Sequence, residues 1–188
     1  MKCLLSFLAL LLILTCFCSS SCKKDKNKNP VDQLPPETQT GANTFGCLVD
    51  GKAFIPKGSP LGGPIKKAAY QFVNGSYYFV IAGSDRSNPE DFSVVQLRSD
   101  SLQLSVGSYL LSFFDSSGYL GGGVTFSKIS QPSIRYFTNQ VQTGELIIKK
   151  LDEIDQIVSG TFWFNAIDTA TGKILQIREG RFDMPYVK

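Results

Sequence analysis

Histidine is absent from this chain of 188 residues. Its absence removes both the commonest general base of enzymes and the commonest ligand of transition metals. A cysteine nucleophile would therefore need another base to form its thiolate. We expect a protein that is not an enzyme and that holds no cofactor and no metal ion.

Cysteine is scarce beyond the N-terminus. Of the five cysteines, only Cys47 lies after residue 22, so no two cysteines within residues 23–188 can form a disulfide. An exported domain without a disulfide depends on its hydrophobic core alone. Cys47 alternates with Phe45 and Val49, and this pattern predicts a thiol that packs as a small hydrophobic side chain.

The folded part of the chain also lacks an excess of either charge. The net charge of +3 comes largely from lysines that precede residue 30. From residue 43 onward there are 14 Lys and Arg against 13 Asp and Glu, a net charge of +1. Nucleic-acid binding is not expected, because it requires a basic face on the folded domain.

The N-terminus carries an export signal. An apolar run of roughly 14 residues follows Lys2, whereas a membrane-spanning helix needs about 20. Three serines and Cys22 come next, and a basic run follows. We predict a signal peptide over residues 1–21 and a lipid on Cys22 that binds the protein to a membrane. Alternatives are lipidation at Cys16 or Cys18, and ordinary cleavage without a lipid.

Residues 22–42 are predicted to form the lipidated cysteine and a flexible tether. The segment after Cys22 is rich in lysine, asparagine and proline and has no aromatic residue. Such a composition buries too little apolar surface to order a chain. The folded domain is therefore predicted to begin at residue 43 and to end at residue 188.

Residues 43–188 have the pattern of an all-β domain. Asp50-Gly51 and Asn74-Gly75 are strong hairpin signals, and turn residues recur every 8–12 positions. We predict an antiparallel β-sandwich of about ten to twelve strands, with a lipocalin-like closed barrel as the alternative. Predicted strands include residues 102–106, 173–178 and 180–184, and Pro89 is a weak candidate for a helix start. Gly121–Gly123 is predicted to be a flexible turn or bulge.

Trp163 is the main candidate for ligand binding. In a strand, alternation directs Phe162 and Phe164 to the core and Trp163 to the other face, together with Thr161 and Asn165. An exposed tryptophan beside polar residues can stack on a sugar ring or contact a protein partner. The alternative is that a second layer of structure covers this face. Further aromatic residues that could join the platform are Tyr78, Tyr119 and Tyr136.

The clustered carboxylates are interpreted as solvated turns. Glu90-Asp91 and Asp152–Asp155 both lie in predicted turns. A glycoside hydrolase needs two carboxylates that face each other across a cleft, which this pattern does not indicate. Calcium would need several turn oxygens, and the spacing at residues 152–155 matches no defined calcium loop.

Two blocks of sequence resemble a lipoprotein family of unassigned function from the Bacteroidota. The opening block is NTFGCLVDGKAFIP, residues 43–56, and the late block comprises VSGTFWF, residues 158–164, and GRFD, residues 180–183. Residues 20–25, SSCKKD, also resemble the start of lipoproteins of that phylum. The resemblance implies a cell-envelope protein held in the outer membrane, and it implies no catalytic residue.

Further expectations follow from this resemblance. Surface-export signals in the phylum carry several acidic residues, and only Asp25 lies in the basic run, so a periplasm-facing anchor is favoured over the cell surface. Ser101 and Thr169 lie in patterns that resemble O-glycosylation acceptors of the phylum. The predicted tether, the absence of histidine and the richness in aromatic residues, rather than the resemblance, indicate the expected function, which is binding of a glycan or an envelope protein. Alternatives are an accessory subunit of an envelope complex and a carboxylate-based hydrolase.

Overall fold

The structure is a computed structural model that describes residues 29–60, 63–114 and 118–188. The predicted signal peptide, residues 1–21, and Cys22 lie outside these ranges. Within the described ranges, the chain forms strands and loops, and residues Pro30–Gln33 form a short 3₁₀ helix. The strands described are β1 (Thr44–Val49), β2 (Lys52–Phe54), β3 (Lys57–Gly58), β4 (Lys66–Val73), β5 (Ser76–Asn88), β6 (Asp91–Asp100), β7 (Gly107–Leu111), β8 (Leu120–Lys128), β9 (Ile134–Phe137), β10 (Gly144–Asp152), β11 (Ile157–Ile167) and β12 (Ile174–Pro185).

The two predicted hairpin turns are confirmed. Asp50 and Gly51 have φ angles of 46° and 75°, and Asn74 and Gly75 have φ angles of 51° and 82°. Two successive positive φ angles are typical of a type I′ turn, which matches the twist of the strands on either side. The first turn joins β1 to β2 and the second joins β4 to β5.

The strands form one mixed sheet in the order β2-β1-β12-β11-β10-β7-β8-β6-β5-β3, with β4 beside β5 and β9 beside β8 and β11. The all-β prediction is confirmed, and the arrangement is sandwich-like. The expectation of purely antiparallel pairing is wrong at two pairs, β3 with β5 and β7 with β8, which are parallel. β3 runs parallel to β5 because β4 reverses the chain between them.

The core lies between two halves of this sheet. One half contains β1, β10, β11 and β12, and the other contains β4, β5, β6 and β8. Alternate side chains of both halves form one buried cluster, in which Phe45 lies against Gly83 and Phe164 lies against Gly122. Other members are Phe79, Ile81, Val95, Leu97, Val124, Leu146, Ile148, Phe162 and Ile177.

Gly121–Gly123 lies inside β8, so the prediction of a flexible turn or bulge is wrong. These glycines allow close approach on both faces of the strand. A β-carbon at Gly121 would lie 2.2 Å from Cα of Phe114, and one at Gly122 would lie 2.8 Å from Cδ1 of Phe164. Three consecutive glycines resemble a turn, but Phe114 and Phe164 pack so closely against β8 that residues without a β-carbon are required there.

Other strand boundaries also differ from the predictions. Residues 102–106 are not a strand, because a side chain replaces a strand partner there: the Tyr70 hydroxyl accepts from the Leu104 amide and donates to its carbonyl. Residues 174–178 and 180–184 belong to the single strand β12, and Lys173 lies just before it. Pro89 starts no helix, since it lies in the tight turn between β5 and β6.

Residues 34–42, here called the N-terminal segment, lie on the outer face of β1, β11 and β12. Leu34 is buried, and Pro35 contacts the position of Gly46. The segment ends over Asp183, whose buried carboxylate accepts five hydrogen bonds from Thr38, Thr40, Gly41 and Ala42. This differs from the expected flexible tether, because hydrogen bonds to a charged group order a segment that buries little apolar surface.

Candidate functional site

Trp163 lies on the outer face of the half formed by β10, β11 and β12. Phe162 and Phe164 point into the core, at 3% and 0% exposure, whereas Trp163 is 41% exposed. Thr161 and Asn165 are half-buried on the same face as Trp163. The alternation predicted from the sequence is therefore observed in β11. The binding role of Trp163, Thr161 and Asn165 stays a prediction.

A β-bulge changes the neighbours of Trp163. Phe162 pairs with Gly180 and Phe164 pairs with Ile177, so two residues of β12, Arg178 and Glu179, oppose Trp163. Bulges re-aim side chains and are frequent beside functional sites. On its other side, Trp163 pairs with Glu145 of β10. An acidic and a basic residue thus flank the indole ring.

The Arg178 guanidinium is held in place beside the indole ring. Nη1 donates to the carbonyl oxygens of Phe164 at 3.0 Å and Ile177 at 2.8 Å, and Nη2 donates to Oδ1 of Asn165 at 2.7 Å. The guanidinium carbon lies 5.4 Å from the Trp163 ring centre, which is a cation–π distance. Asn165 therefore positions Arg178 rather than extending the open aromatic surface.

Trp163 lines two grooves, each of about 340 Å³. The first, here called the arginine groove, is lined by Thr161, Trp163, Arg178 and Arg181, with Glu37 of the N-terminal segment. The second, here called the glutamate groove, includes Ser108, Leu110, Thr143, Glu145 and Trp163. Glu145 also lines the arginine groove. A ligand that crosses the indole ring would occupy both grooves, so the shape suits an extended chain.

Most charged groups in the arginine groove are paired. Lys149 forms an ion pair with Glu37, and Arg181 forms one with Glu179 at 3.1 Å. In the glutamate groove, Glu145 accepts a hydrogen bond from the Ser108 hydroxyl. In the described part of the chain, Arg178 has no carboxylate partner.

Sequence reasoning missed Glu37, Glu145 and Arg178. Glu37 lies in the predicted tether, and Glu145 and Arg178 are distant from Trp163 along the chain. The alternation of β10 places Glu145 on the outer face, but only the register of three strands shows that it meets Trp163.

A family model described as "Domain of unknown function (DUF6252)" matches residues 68–184. The chain belongs to the DUF6252 family. The match includes most of β4, all of β5 to β11 and most of β12, and with them Glu145, Trp163, Arg178 and Asp183. No curated protein and no solved structure matches the chain.

The other aromatic candidates of this DUF6252 domain lie outside the two grooves. Tyr136 is buried in β9, and Tyr119 contacts Phe113. Tyr78 lies on the outer face of β5, in the opposite half of the sheet. They therefore do not form one platform with Trp163, because the topology places them elsewhere on the sheet.

The two predicted O-glycosylation residues lie in exposed turns. Ser101 follows β6, and Thr169 lies between β11 and β12. Asp168 uses its carboxylate to accept from the Ala170 amide at 3.0 Å and the Thr171 hydroxyl at 2.6 Å. Both acceptor hydroxyls lie at the surface, and modification of either stays a prediction.

Cys47 is fully buried in the core of the DUF6252 domain. Burial raises the pKa of its thiol, so the thiolate needed for nucleophilic chemistry does not form at neutral pH. The prediction that Cys47 packs as a hydrophobic side chain is confirmed.

The acidic turn at residues 152–155 is organised by its own backbone. The Asp152 carboxylate accepts from the amides of Asp155 and Ile154, and these bonds lower its pKa. Among the described residues, no three Cys, Asp or Glu side chains cluster as a metal site. In the same residues, no helix has the length and hydrophobicity needed to cross a bilayer.

Proposed function

We propose that this protein is a cell-envelope lipoprotein of the Bacteroidota whose DUF6252 domain binds glycan chains without catalysis. The lipid on Cys22 would hold it in the outer membrane, facing the periplasm. The N-terminal sequence supports the anchor, and the resemblance of residues 43–56 supports the phylum. The geometry around Trp163 supports the binding role.

The observation that carries this proposal is the exposed indole ring between two grooves. The part of the Trp163 ring that Arg178 does not cover offers a flat apolar surface for the face of a sugar ring. Arg178 on one side donates hydrogen bonds and Glu145 on the other accepts them, so both can bind sugar hydroxyls. The ring and both polar partners stand on paired strands, which hold a site more rigidly than loops do.

Hydrolysis is not part of the proposal. A glycosidase needs one carboxylate free to protonate the leaving group and a second that attacks or activates water. Glu37 and Glu179 form ion pairs with lysine and arginine, and Glu145 is bonded to Ser108. These contacts favour a role for the three glutamates in positioning neighbouring side chains and the ligand.

Replacing Trp163 by alanine is expected to weaken glycan binding by about tenfold or more, because the stacking surface is lost. A glycan array probed with the mature protein would identify ligands, and titration calorimetry would give the affinities. Phe92→Ala is the matched control, since Phe92 is an aromatic residue of similar exposure, 43%, and lines neither groove.

Equal affinity of the Trp163→Ala variant and the unchanged protein would contradict a site at Trp163. Absence of binding to every glycan on the array would contradict glycan binding altogether. That second result would favour the accessory-subunit role, in which the same face contacts another envelope protein.

Replacing Cys22 by serine is expected to release the protein from the membrane, because a serine hydroxyl does not accept the lipid. Fractionation of the native host, followed by immunoblotting, measures the effect. Cys18→Ser is the matched control and should leave the protein in the membrane fraction. Protease added to intact cells tests the orientation, and rapid digestion of the domain would contradict a periplasm-facing anchor.

A further inference from the structure

We infer that the glycan bound at Trp163 is acidic and that Arg178 binds its anionic group, a carboxylate or a sulfate. This inference rests on the proposed function and adds the chemical class of the ligand. It follows from the pairing of charges in the two grooves and from the way in which Arg178 is held.

Among the described residues, the ion pairs of the arginine groove leave one cation, Arg178, and one carboxylate, Glu145, without an ionic partner. Glu37 is paired with Lys149, and Glu179 is paired with Arg181. Arg178 is bonded only to two carbonyl oxygens and one amide oxygen among the described residues. A half-buried guanidinium with neutral partners attracts an anion from the ligand, because a charge-assisted hydrogen bond is stronger than a neutral one.

The bonds of Arg178 also leave donors available to a ligand. A guanidinium has five N–H groups, and three of them are used by the Phe164, Ile177 and Asn165 oxygens. The N–H of Nε and one N–H of Nη2 remain. Because the three bonds and the indole ring already fix the side chain, binding an anion costs little further side-chain entropy.

Glu145 gives the site a direction. It lies across Trp163 from Arg178 and lines both grooves, and no cation is paired with it among the described residues. An anionic group is repelled beside Glu145 and attracted beside Arg178, while neutral hydroxyls can donate to Glu145. The ligand should therefore place its anionic group on the Arg178 side of the indole ring.

The test compares glycans that differ only in charge. Titration calorimetry on the mature protein would use hexamers of galacturonate and mannuronate with their methyl esters, and sulfated hexamers with their desulfated forms. The acidic member of at least one pair should bind about tenfold tighter or more, and raising the salt concentration should reduce this difference. A difference within the uronate pairs identifies the anionic group as a carboxylate, and a difference within the sulfated pairs identifies it as a sulfate.

Variants assign the effect to Arg178. Arg178→Gln should remove the preference for the acidic member, and Arg178→Lys should retain part of it because the charge remains. Glu145→Gln should strengthen binding of the acidic member. Arg135→Gln is the matched control, because Arg135 is an exposed arginine of β9 that lines neither groove.

Each outcome has one meaning. Equal or tighter binding of the neutral members overturns the acidic ligand and leaves glycan binding intact. If no hexamer and no array glycan binds, the proposed function fails together with this inference. If the Arg178→Gln variant does not fold, the comparison of acidic and neutral glycans in the unchanged protein, with its salt dependence, still decides whether the ligand is acidic. A loss of the acidic preference in Arg135→Gln would overturn the assignment of that preference to Arg178.

Discussion

Replacing Asp183 by alanine is expected to lower the free energy of unfolding by about 3 to 5 kcal/mol. The carboxylate is fully buried and accepts hydrogen bonds from the amides of Thr40, Gly41 and Ala42 at 2.8 to 3.1 Å. It also accepts from the Thr38 hydroxyl at 2.6 Å. Without it, these donors lose their acceptor, and the N-terminal segment loses its attachment to β12.

Urea unfolding at neutral pH measures this loss. Asp168→Ala is the matched control, because the Asp168 carboxylate also accepts backbone and hydroxyl bonds but lies in a surface turn. We expect the control to change stability by about 1 kcal/mol or less. A similar small effect at Asp183 would show that the N-terminal segment adds little to stability, contrary to the structure.

The Asp183 contribution should also depend on pH. Burial alone would raise the pKa of this carboxyl group, but the hydrogen bonds from residues 38–42 outweigh burial and hold the pKa below its ordinary value. The ionised group therefore stabilises the fold fully above the pKa of the unfolded chain, about 3.9. That contribution is lost as the pH falls from about 4 through the lower pKa of the folded state.

Asp183→Asn isolates this effect from those of Asp85 and Asp152, whose pKa values are also lowered. The stability difference between the unchanged protein and the asparagine variant should be large at pH 7 and smaller at pH 3. A difference that is independent of pH would contradict the ionised carboxylate as the acceptor.

Replacing Gly122 by alanine is expected to destabilise the domain by about 2 to 3 kcal/mol. The added β-carbon would lie 2.8 to 2.9 Å from three atoms of the Phe164 ring, where the two halves of the sheet meet. Neither side can move freely, because Phe164 is fully buried and Gly122 lies within β8. Thermal unfolding followed by circular dichroism measures the change.

A double-mutant cycle tests the cause. If the clash with the ring is responsible, Phe164→Leu should cost less in the Gly122→Ala background than alone, with a coupling of about 1 to 2 kcal/mol. Phe45→Leu is the matched control, because the Phe45 ring lies against Gly83 instead. Purely additive effects of Gly122→Ala and Phe164→Leu would show that the ring is not the obstacle.

The N-terminal segment links the stability prediction to the candidate site. Glu37 lines the arginine groove, and the same segment is attached to β12 through Asp183. Variants that release the segment should therefore open one wall of that groove. Binding studies must use a chain that keeps residues 34–42, since a chain that starts at residue 43 lacks this wall.

Several features could be predicted from the sequence because they depend on neighbouring residues. The positive φ angles of Asp50-Gly51 and Asn74-Gly75 are determined by the conformations that these residue types tolerate, so both hairpins were predictable. The period of two in Phe162, Trp163 and Phe164 places the phenylalanines inside and the tryptophan outside, whatever the rest of the fold.

Other features depend on residues that are distant along the chain, and only the tertiary structure decides them. Thr38 and Asp183 are 145 positions apart, and neither position alone indicates that a polar segment becomes ordered over a buried carboxylate. The row of Glu145, Trp163 and Arg178 requires the register of three strands and one bulge. The sequence determines which face each side chain takes, whereas packing between strands determines which side chains meet, because pairing free energies are summed over the whole sheet.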